Sequence, residues 1–379
     1  MEYQGNENRR DNLVRWFAWS LKYKDCDPAV WLTNYLNDRY EHNEEQKIWF
    51  CWLYGNTYQL PTAWILMNEF PDFELATVSR MMDWNTKNYL RLRYQTDTKW
   101  NKGHLPKMFA SYQKFVGEKT QKEKIESYYG DNESQSFDNL WMGVKDDLYK
   151  FGRYSTWFYL QHLKHTCDIK IDPTSMMLND YAGSKSHRNG LLMGLGKDDD
   201  YDKKLTKKEY EYLEDAAKDI ILETKSRYPE IATEADNFTF ETCLCSYKKI
   251  FRRKHGRYLG YYLDRQAEEI TQVSRDGWYG IDWEVLWQAR EETLAEDLLD
   301  KSGIKNADFD FMKILIPFLE EGYPNTIIKM YFLNIPFIFK TAYTFLRVFI
   351  GKETKDKIVF VDKKKNNNEL SEDMFEELF

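Results

Sequence analysis

The sequence predicts a mainly α fold: an all-α body of many helices with a small α/β segment behind it. Two observations carry this. Up to about residue 300, apolar residues recur three and four positions apart with few β-branched runs, which is the period of a helix that buries one face. Beyond about residue 303, short apolar runs flank a helical stretch, as in a strand–helix–strand unit. The expected division is a helical domain over 1–300, an α/β segment over 303–365 and a polar acidic tail over 366–379. Aromatic residues make up 17% of the 379-residue chain. Most stand before residue 300, where they suit either a ring-rich core or a pocket that stacks on flat groups.

In chain order, "NLVRWFAWSLKY" places Leu13, Trp16, Phe17 and Leu21 on one helix face, and Asp27-Pro28 restarts the chain as an N-cap with a first-turn proline. "WLYGNTYQLPTAWILMNEFPD", Trp52 to Asp72, reads as helix, sharp turn and second helix. There Gly55 is free to take a positive φ, Asn56 and Thr57 to cap, and Pro61 to open the next helix. Residues 117–135 and 168–205 break the rhythm. The second stretch holds "GSKSHRNG" and reads as a long functional loop. "LTKKEYEYLEDAAKDIIL" opens with the capping box Thr206 to Glu209, and "DWEVLWQAREETLAEDLL" starts a capped helix at Asp282. In the tail, "IIKMYFLNI" and "KIVFVD" read as strands around the helix "PFIFKTAYTFLRVFIG".

Net charge is −8 and the pI about 5.5, so the chain as a whole is no cationic surface for nucleic acid or acidic membrane, and any anion site must be local. The five cysteines show no CxxC spacing and no apolar leader follows Met1, so a cytoplasmic protein is expected. Cys243 and Cys245 read as helix packing. The most apolar stretch, within 327–350, is interrupted by Lys329, Pro336, Lys340 and Arg347, so no transmembrane segment is expected. His162 and His165 lack further ligands, so no metal is assigned. No cofactor is expected, since no Walker A loop, GxSxG elbow or GxGxxG occurs, and a divalent ion has no ligand set.

Local chemistry gathers in four places. At the corner, Trp52, Tyr54, Tyr58 and Trp64 surround Asn56, with Asn68 and Glu69 beyond: rings and amides that suit a planar base. In "NYLRLRYQTDTKWNKGHLPKMFASY", Arg91, Arg93, Lys99 and Lys102 interleave with Tyr94 and Trp100 against the lone Asp97. Six of the ten residues from Lys248 to Arg257 are Lys or Arg, among them Arg252, Arg253 and Arg257. Asp264 and Arg265 follow. In "SKSHRNG", His187 and Arg188 suit phosphate contact or proton transfer. A plain capped corner and solvated basic faces are the competing structural readings.

"WLYGNTYQLPTAWILMNEFPDFE", "NYLRLRYQTDTKWNKGHLPKMFASY" and "GRYLGYYLDRQAEEI" resemble the amino acid:DNA transferase family of bacteriophages, a family associated with the alpha-glutamyl/putrescinyl thymine pyrophosphorylases. The similarity covers roughly residues 10–300. It implies DNA hypermodification in an infected host cell: an amine from an amino acid or polyamine displaces pyrophosphate from the activated 5-hydroxymethyl group of a thymine-derived base. Partners would then be DNA carrying 5-hydroxymethyluracil pyrophosphate and the amine donor. Trp52, Tyr54, Asn56, Tyr58, Trp64 and Asn68 would hold the base. Arg91, Arg93, Lys99, Lys102, Arg188, Arg252, Arg253, Arg257 and Arg265 would meet phosphates, and Glu69, Asp97, His187 or Asp264 would accept the amine's proton. The body could share a DNA-glycosylase-like architecture. The tail "DFDFMKILIPFLEEGYPNTIIKMYFLNIPFIFKTAYTFLRVFIGKETKDKIVFVD" is similar to the C-terminal half of a CRAL-TRIO (Sec14-like) domain. A lipid partner at that segment, or a helical DNA-binding protein without transferase activity, are the other readings.

Overall fold

The computed structural model describes residues 5–250, 260–294, 330–333 and 358–361. The fold is mainly α, as the periodicity predicts. The described helices are α1 (Gly5–Lys22), α2 (Pro28–Arg39), α3 (Glu44–Thr57), α4 (Leu60–Glu69), α5 (Val78–Asn88), α6 (Leu105–Val116), α7 (Gln121–Glu126), α8 (Glu133–Asp147), α9 (Arg153–Cys167), α10 (Lys185–Gly194), α11 (Lys207–Arg227), α12 (Asn237–Ile250), α13 (Tyr261–Ser274) and α14 (Glu284–Thr293). The chain divides into two compact units, Met1–Ala295 and Glu296–Phe379. In the second, β1 (Met330–Leu333) and β2 (Ile358–Val361) pair in parallel, Met330 opposite Ile358 and Leu333 opposite Val361. Both strands fall in the runs read as strands. The helix expected between them lies outside the described residues.

The core of the first unit is built around α3, whose residues from Ile48 to Thr57 are all buried. α3 lies along α9, and Gly55 explains how closely. A Cβ there would stand 2.8 Å from the Tyr159 Cβ, so the glycine is a contact point inside the helix. This corrects the expectation that Gly55 ends it. The residue in the left-handed region is Tyr58, with φ 47°, and its N–H bonds back to the Tyr54 carbonyl. Thr57 turns its hydroxyl to the carbonyls of Leu53 and Gln59 instead of capping the next helix. Trp49, Trp52, Tyr112 and Phe151 stack beside it, with Trp49 and Trp52 4.9 Å apart. Each such ring removed from water contributes about 1.5–3 kcal/mol.

The middle of 168–205 is helix α10, not a loop. Gly190 permits it: a Cβ there would meet the Leu244 carbonyl of α12 at 2.1 Å, so the two helices touch backbone to backbone. A glycine that reads as loop punctuation is in fact a crossing point. The capping box at Thr206 and Glu209 forms as expected, and Asp282 accepts from the N–H of Glu284 at 3.0 Å at the start of α14.

One buried aspartate caps α13, and a second ties the start of α2 to α9 and α12. Asp25 accepts from the backbone N–H groups of Gly260, Tyr262 and Leu263 at 2.9–3.1 Å, so a residue far away in sequence caps this helix. Burial still pushes its carboxyl up to about 6, against those three bonds. Asp27 sits at the N-cap of α2 with φ 52°, in the left-handed region that asparagine and aspartate tolerate best. Its carboxylate does not cap. One oxygen, Oδ2, accepts from Gln161 of α9 at 2.5 Å and Thr242 of α12 at 2.6 Å.

Candidate active site

Where the starts of α2 and α13 meet the end of α3, a small slot opens. It is lined by Asp27, Tyr54, Tyr58, Tyr262, Arg265 and Glu269, with Pro28, Ala29 and Gln266, and its volume is about 30 Å³. Arg265 Nε donates to Glu269 Oε1 at 2.9 Å, one turn apart on α13, and Gln95 donates to the same oxygen. The guanidinium also lies 5.8 Å from the Tyr58 ring centroid and 5.9 Å from that of Tyr262. Burial pushes the Glu269 carboxyl up to about 7, with Glu268 adding to the rise; Arg265 draws it back only in part. Burial likewise holds Asp27 near 6. Two carboxyl groups that titrate near neutrality beside an arginine are equipped to move protons and balance charge.

Glu269 begins a seam that continues along α13. Arg265, Glu269 and Gln272 follow one another at intervals of four and three, so they share a face of α13, and Asp276 stands in the turn two residues past its end. Against the far end, Arg93 makes a two-pronged pair with Asp276 at 2.6 and 2.9 Å and reaches Gln272 at 3.3 Å. Arg91 donates to the carbonyls of Asp276 and Gly277 and packs on Trp278. Lys102 bonds the Leu90 carbonyl and feels both Arg93 and Asp276. Three of the expected phosphate cations thus gather around one carboxylate, leaving a net positive patch. Lys99 lies 4.9 Å from the Trp100 ring, and that ring is 71% exposed. An open ring face beside lysines suits contact with a DNA strand.

The corner residues separate. Tyr54 and Tyr58 line the slot, but one face of each ring is taken: Tyr54 stacks on His162 at 3.9 Å and Tyr58 on Phe158 at 3.4 Å. Trp52 and Asn56 are fully buried, Asn56 between Met108 and Asn101. Trp64 is buried too and gives its indole N–H to the Asp282 carbonyl at 3.2 Å. No base reaches these three without opening the core, which corrects their assignment to a base pocket. Asn68 is exposed and bonds the Trp64 carbonyl one turn back. Glu69 pairs with Arg80 at 3.1 Å. Asp97 is exposed, two residues from Gln95 and within electrostatic reach of Tyr154. Asp264 is exposed beside Arg265, and neither Asp97 nor Asp264 lines the slot. Arg252, Arg253 and Arg257 lie outside the described residues.

His187 and Arg188 are not exposed to any phosphate. Arg188 is fully buried and ties the carbonyls of Leu178 and Tyr181 and the Ser184 hydroxyl together. His187 Nδ1 faces Glu241 Oε1 at 2.9 Å, and Arg153 Nη2 stands 3.2 Å from its Nε2. Burial lowers the imidazole's basicity, so it serves as a neutral link. His187, Glu241 and Cys245 bring ligand atoms within 4.8 Å of one another, a spacing a metal could use. Arg153, 3.8 Å from Glu241, already supplies the positive charge an ion would bring, so the residues do not fit a cation well. Sequence reasoning missed Glu269, Asp27 and Tyr262. The one available sign was Glu269 four residues after Arg265 in "DRQAEEI".

A family model described as amino acid:DNA transferase matches residues 14–255. The chain belongs to that family. It is a transferase acting on DNA, with DNA and an amino acid as its partners. The transferase is similar to the serinyltransferase of Salmonella phage ViI, 28% identical over 345 residues, which cover 86% of this chain and 83% of that one. A CRAL/TRIO domain model matches residues 242–378, beginning inside α12, ahead of the 303–365 segment that carries the resemblance in the sequence. No solved structure matches the transferase. Among the described residues, no helix is long and apolar enough to cross a membrane.

Proposed function

We propose that this transferase joins an amino acid to an activated thymine-derived base in DNA and releases pyrophosphate. In this step the donor's amine lone pair forms a C–N bond to the exocyclic methylene carbon. The C–O bond to pyrophosphate breaks and its electrons leave with the pyrophosphate; the single proton that Glu269 takes is the one the α-ammonium gives up before attack, and the product nitrogen stays protonated as a secondary ammonium. Family membership supports the group transferred, and the name of the phage relative makes serine the first donor to try. The observation that carries the site is the pairing with Arg265 of Glu269, near neutral and seven residues before the Asp276 around which Arg91, Arg93 and Lys102 gather. That cluster would meet the leaving pyrophosphate or the DNA backbone, as preorganised cations do for departing phosphate. Trp100 and Lys99 would extend the contact with DNA.

The test is an intact-nucleoside mass analysis of DNA carrying 5-pyrophosphoryloxymethyluracil, incubated with the full chain and a mixture of amino acids and polyamines. A mass gain on the modified nucleoside, with pyrophosphate released, is expected. Gain only with a differently activated base would sink the pyrophosphate step. For the tail, the CRAL/TRIO match supports a separate reading, lipid binding. Lipid extracted from the purified chain would bear it out, and its absence after exposure to vesicles would count against it.

A further inference from the structure

We propose that the slot at Arg265 and Glu269 is the donor subsite and takes a free α-amino acid as its zwitterion, the α-carboxylate on Arg265 and the α-amino group on Glu269. This rests on the transferase reading above and adds what the slot recognises. Its walls bring one fixed cation and two carboxyl groups, Glu269 and Asp27, into a space of about 30 Å³. Among the described residues, Nε is the only guanidinium nitrogen of Arg265 bonded within the protein, which leaves Nη1 and Nη2 as a fork for two carboxylate oxygens. On Glu269 both bonds fall on Oε1, which leaves Oε2 for an ammonium group.

The charge pattern decides between ligand classes. A polyamine brings cations only and would face Arg265 unpaired. A phosphate or pyrophosphate brings anions only and would face Glu269 and Asp27. A head with one charge of each sign satisfies both ends. Tyr54, Tyr58 and Tyr262 close the sides without adding charge, so the pattern is set by three residues. Once bound, the ammonium can give its proton to Glu269 and become the nucleophile, with the carboxylate still held on Arg265.

Equilibrium dialysis of the full chain, without DNA and again with DNA present, tests this with four probes: serine, serinol, N-acetylserine and putrescine. Serine should bind. Serinol, which lacks the carboxylate, and N-acetylserine, which lacks the ammonium, should each bind at least about tenfold more weakly, the loss of one charge-assisted pair. Putrescine should compete poorly. Glu269→Gln should weaken serine and serinol, which both bring an ammonium to that side chain, while leaving N-acetylserine close to its wild-type value. Arg265→Lys, which keeps the charge and loses the fork, should narrow the gap between serine and serinol. Serinol binding as tightly as serine, unchanged serine binding in Glu269→Gln, or no serine binding with or without DNA would each overturn the proposal. The probes need no mutation, so a variant that fails to fold leaves the test intact. Serine bound by these rules without transfer to DNA would remove the acceptor chemistry and keep the subsite. Transfer to DNA with serinol and serine used alike would do the reverse.

Discussion

The middle of α13 and the turn just past its last residue each hold an arginine paired with a carboxylate, and hold it differently. In the middle, Arg265 and Glu269 are enclosed, with side chains 21% and 15% exposed, and the carboxyl rises to about 7. At the turn, Arg93 and Asp276 make the better-formed ion pair, at 42% and 23%. There the hydrogen bond from Arg93, with Arg91 and Lys102 adding to it, holds the carboxyl below its ordinary range. An arginine next to a carboxylate therefore does not fix the protonation state; the water left around the pair does. The enclosed pair is suited to exchange protons, and the open pair to present cations that can trade Asp276 for a phosphate.

Removing the enclosed cation should have the largest effect. Arg265→Ala leaves Glu269 buried without its partner and is expected to cost about 3 kcal/mol of stability, read from urea unfolding. Transfer to DNA should fall below detection. If Arg265→Ala is no less stable than Arg93→Ala, the contrast between the two pairs is wrong.

Glu269→Gln separates chemistry from folding. It removes the base and keeps the shape, so transfer should drop about a hundredfold, the low end of what a positioned general base contributes. In the wild type the rate should rise with pH through about 7 as Glu269 ionises, with Arg265, Glu268 and Gln95 beside it and Asp27, Tyr54, Tyr58 and Tyr262 across the slot. The rise should vanish in the variant. Stability carries the opposite slope. A carboxyl held above its ordinary 4.5 binds more protons folded than unfolded, so its favourable share is present at low pH and lost as pH rises to about 7. The variant should therefore gain on the wild type between about pH 5 and about pH 8, by on the order of 2 kcal/mol. Equal urea midpoints at both values would show that Glu269 is already ionised throughout.

How much of this could be read in the sequence follows from the same contrast. Periodicity marked the helices because burial of one face is written in residue spacing. Arg91, Arg93, Lys102 and Arg265 stood out as cations in an acidic chain, and all four come to the α13 seam. Ring density at Trp52–Trp64 was visible, but which faces are covered depends on α9, about a hundred residues away, and Trp52 and Trp64 turned out to be core. Asp27 reads as a helix cap until Gln161 and Thr242 are seen to claim it. Glu269 looks like one acid among many, since its raised pKa comes from enclosure by three other segments. Gly55 and Gly190 signal close approach as much as turns, and only the partner helix tells which.

On the open side, Trp100→Ala should leave folding within about 0.5 kcal/mol, since the ring is exposed. It should weaken DNA binding by about 1–3 kcal/mol if one base stacks there, measured by fluorescence titration with single-stranded DNA. Unchanged affinity would move the DNA contact off this ring.

The smallest expected effect is on Arg93. Its pair with Asp276 is well formed but solvated, so Arg93→Ala should change stability by no more than about 1 kcal/mol. Its mark should appear in salt dependence. If Arg93 leaves Asp276 for a DNA phosphate, the slope of log affinity against log salt should become shallower by about one. The freed Asp276 would then stand near Arg91 and Lys102 and neutralise part of the patch, which works in the same direction. A slope that does not move, with affinity unchanged, would mean that Arg93 stays on Asp276 when DNA binds. Both pairs would then be structural, and the open one would have to yield its role to Arg91 and Lys102, whose bonds to carbonyl oxygens leave their charge unneutralised.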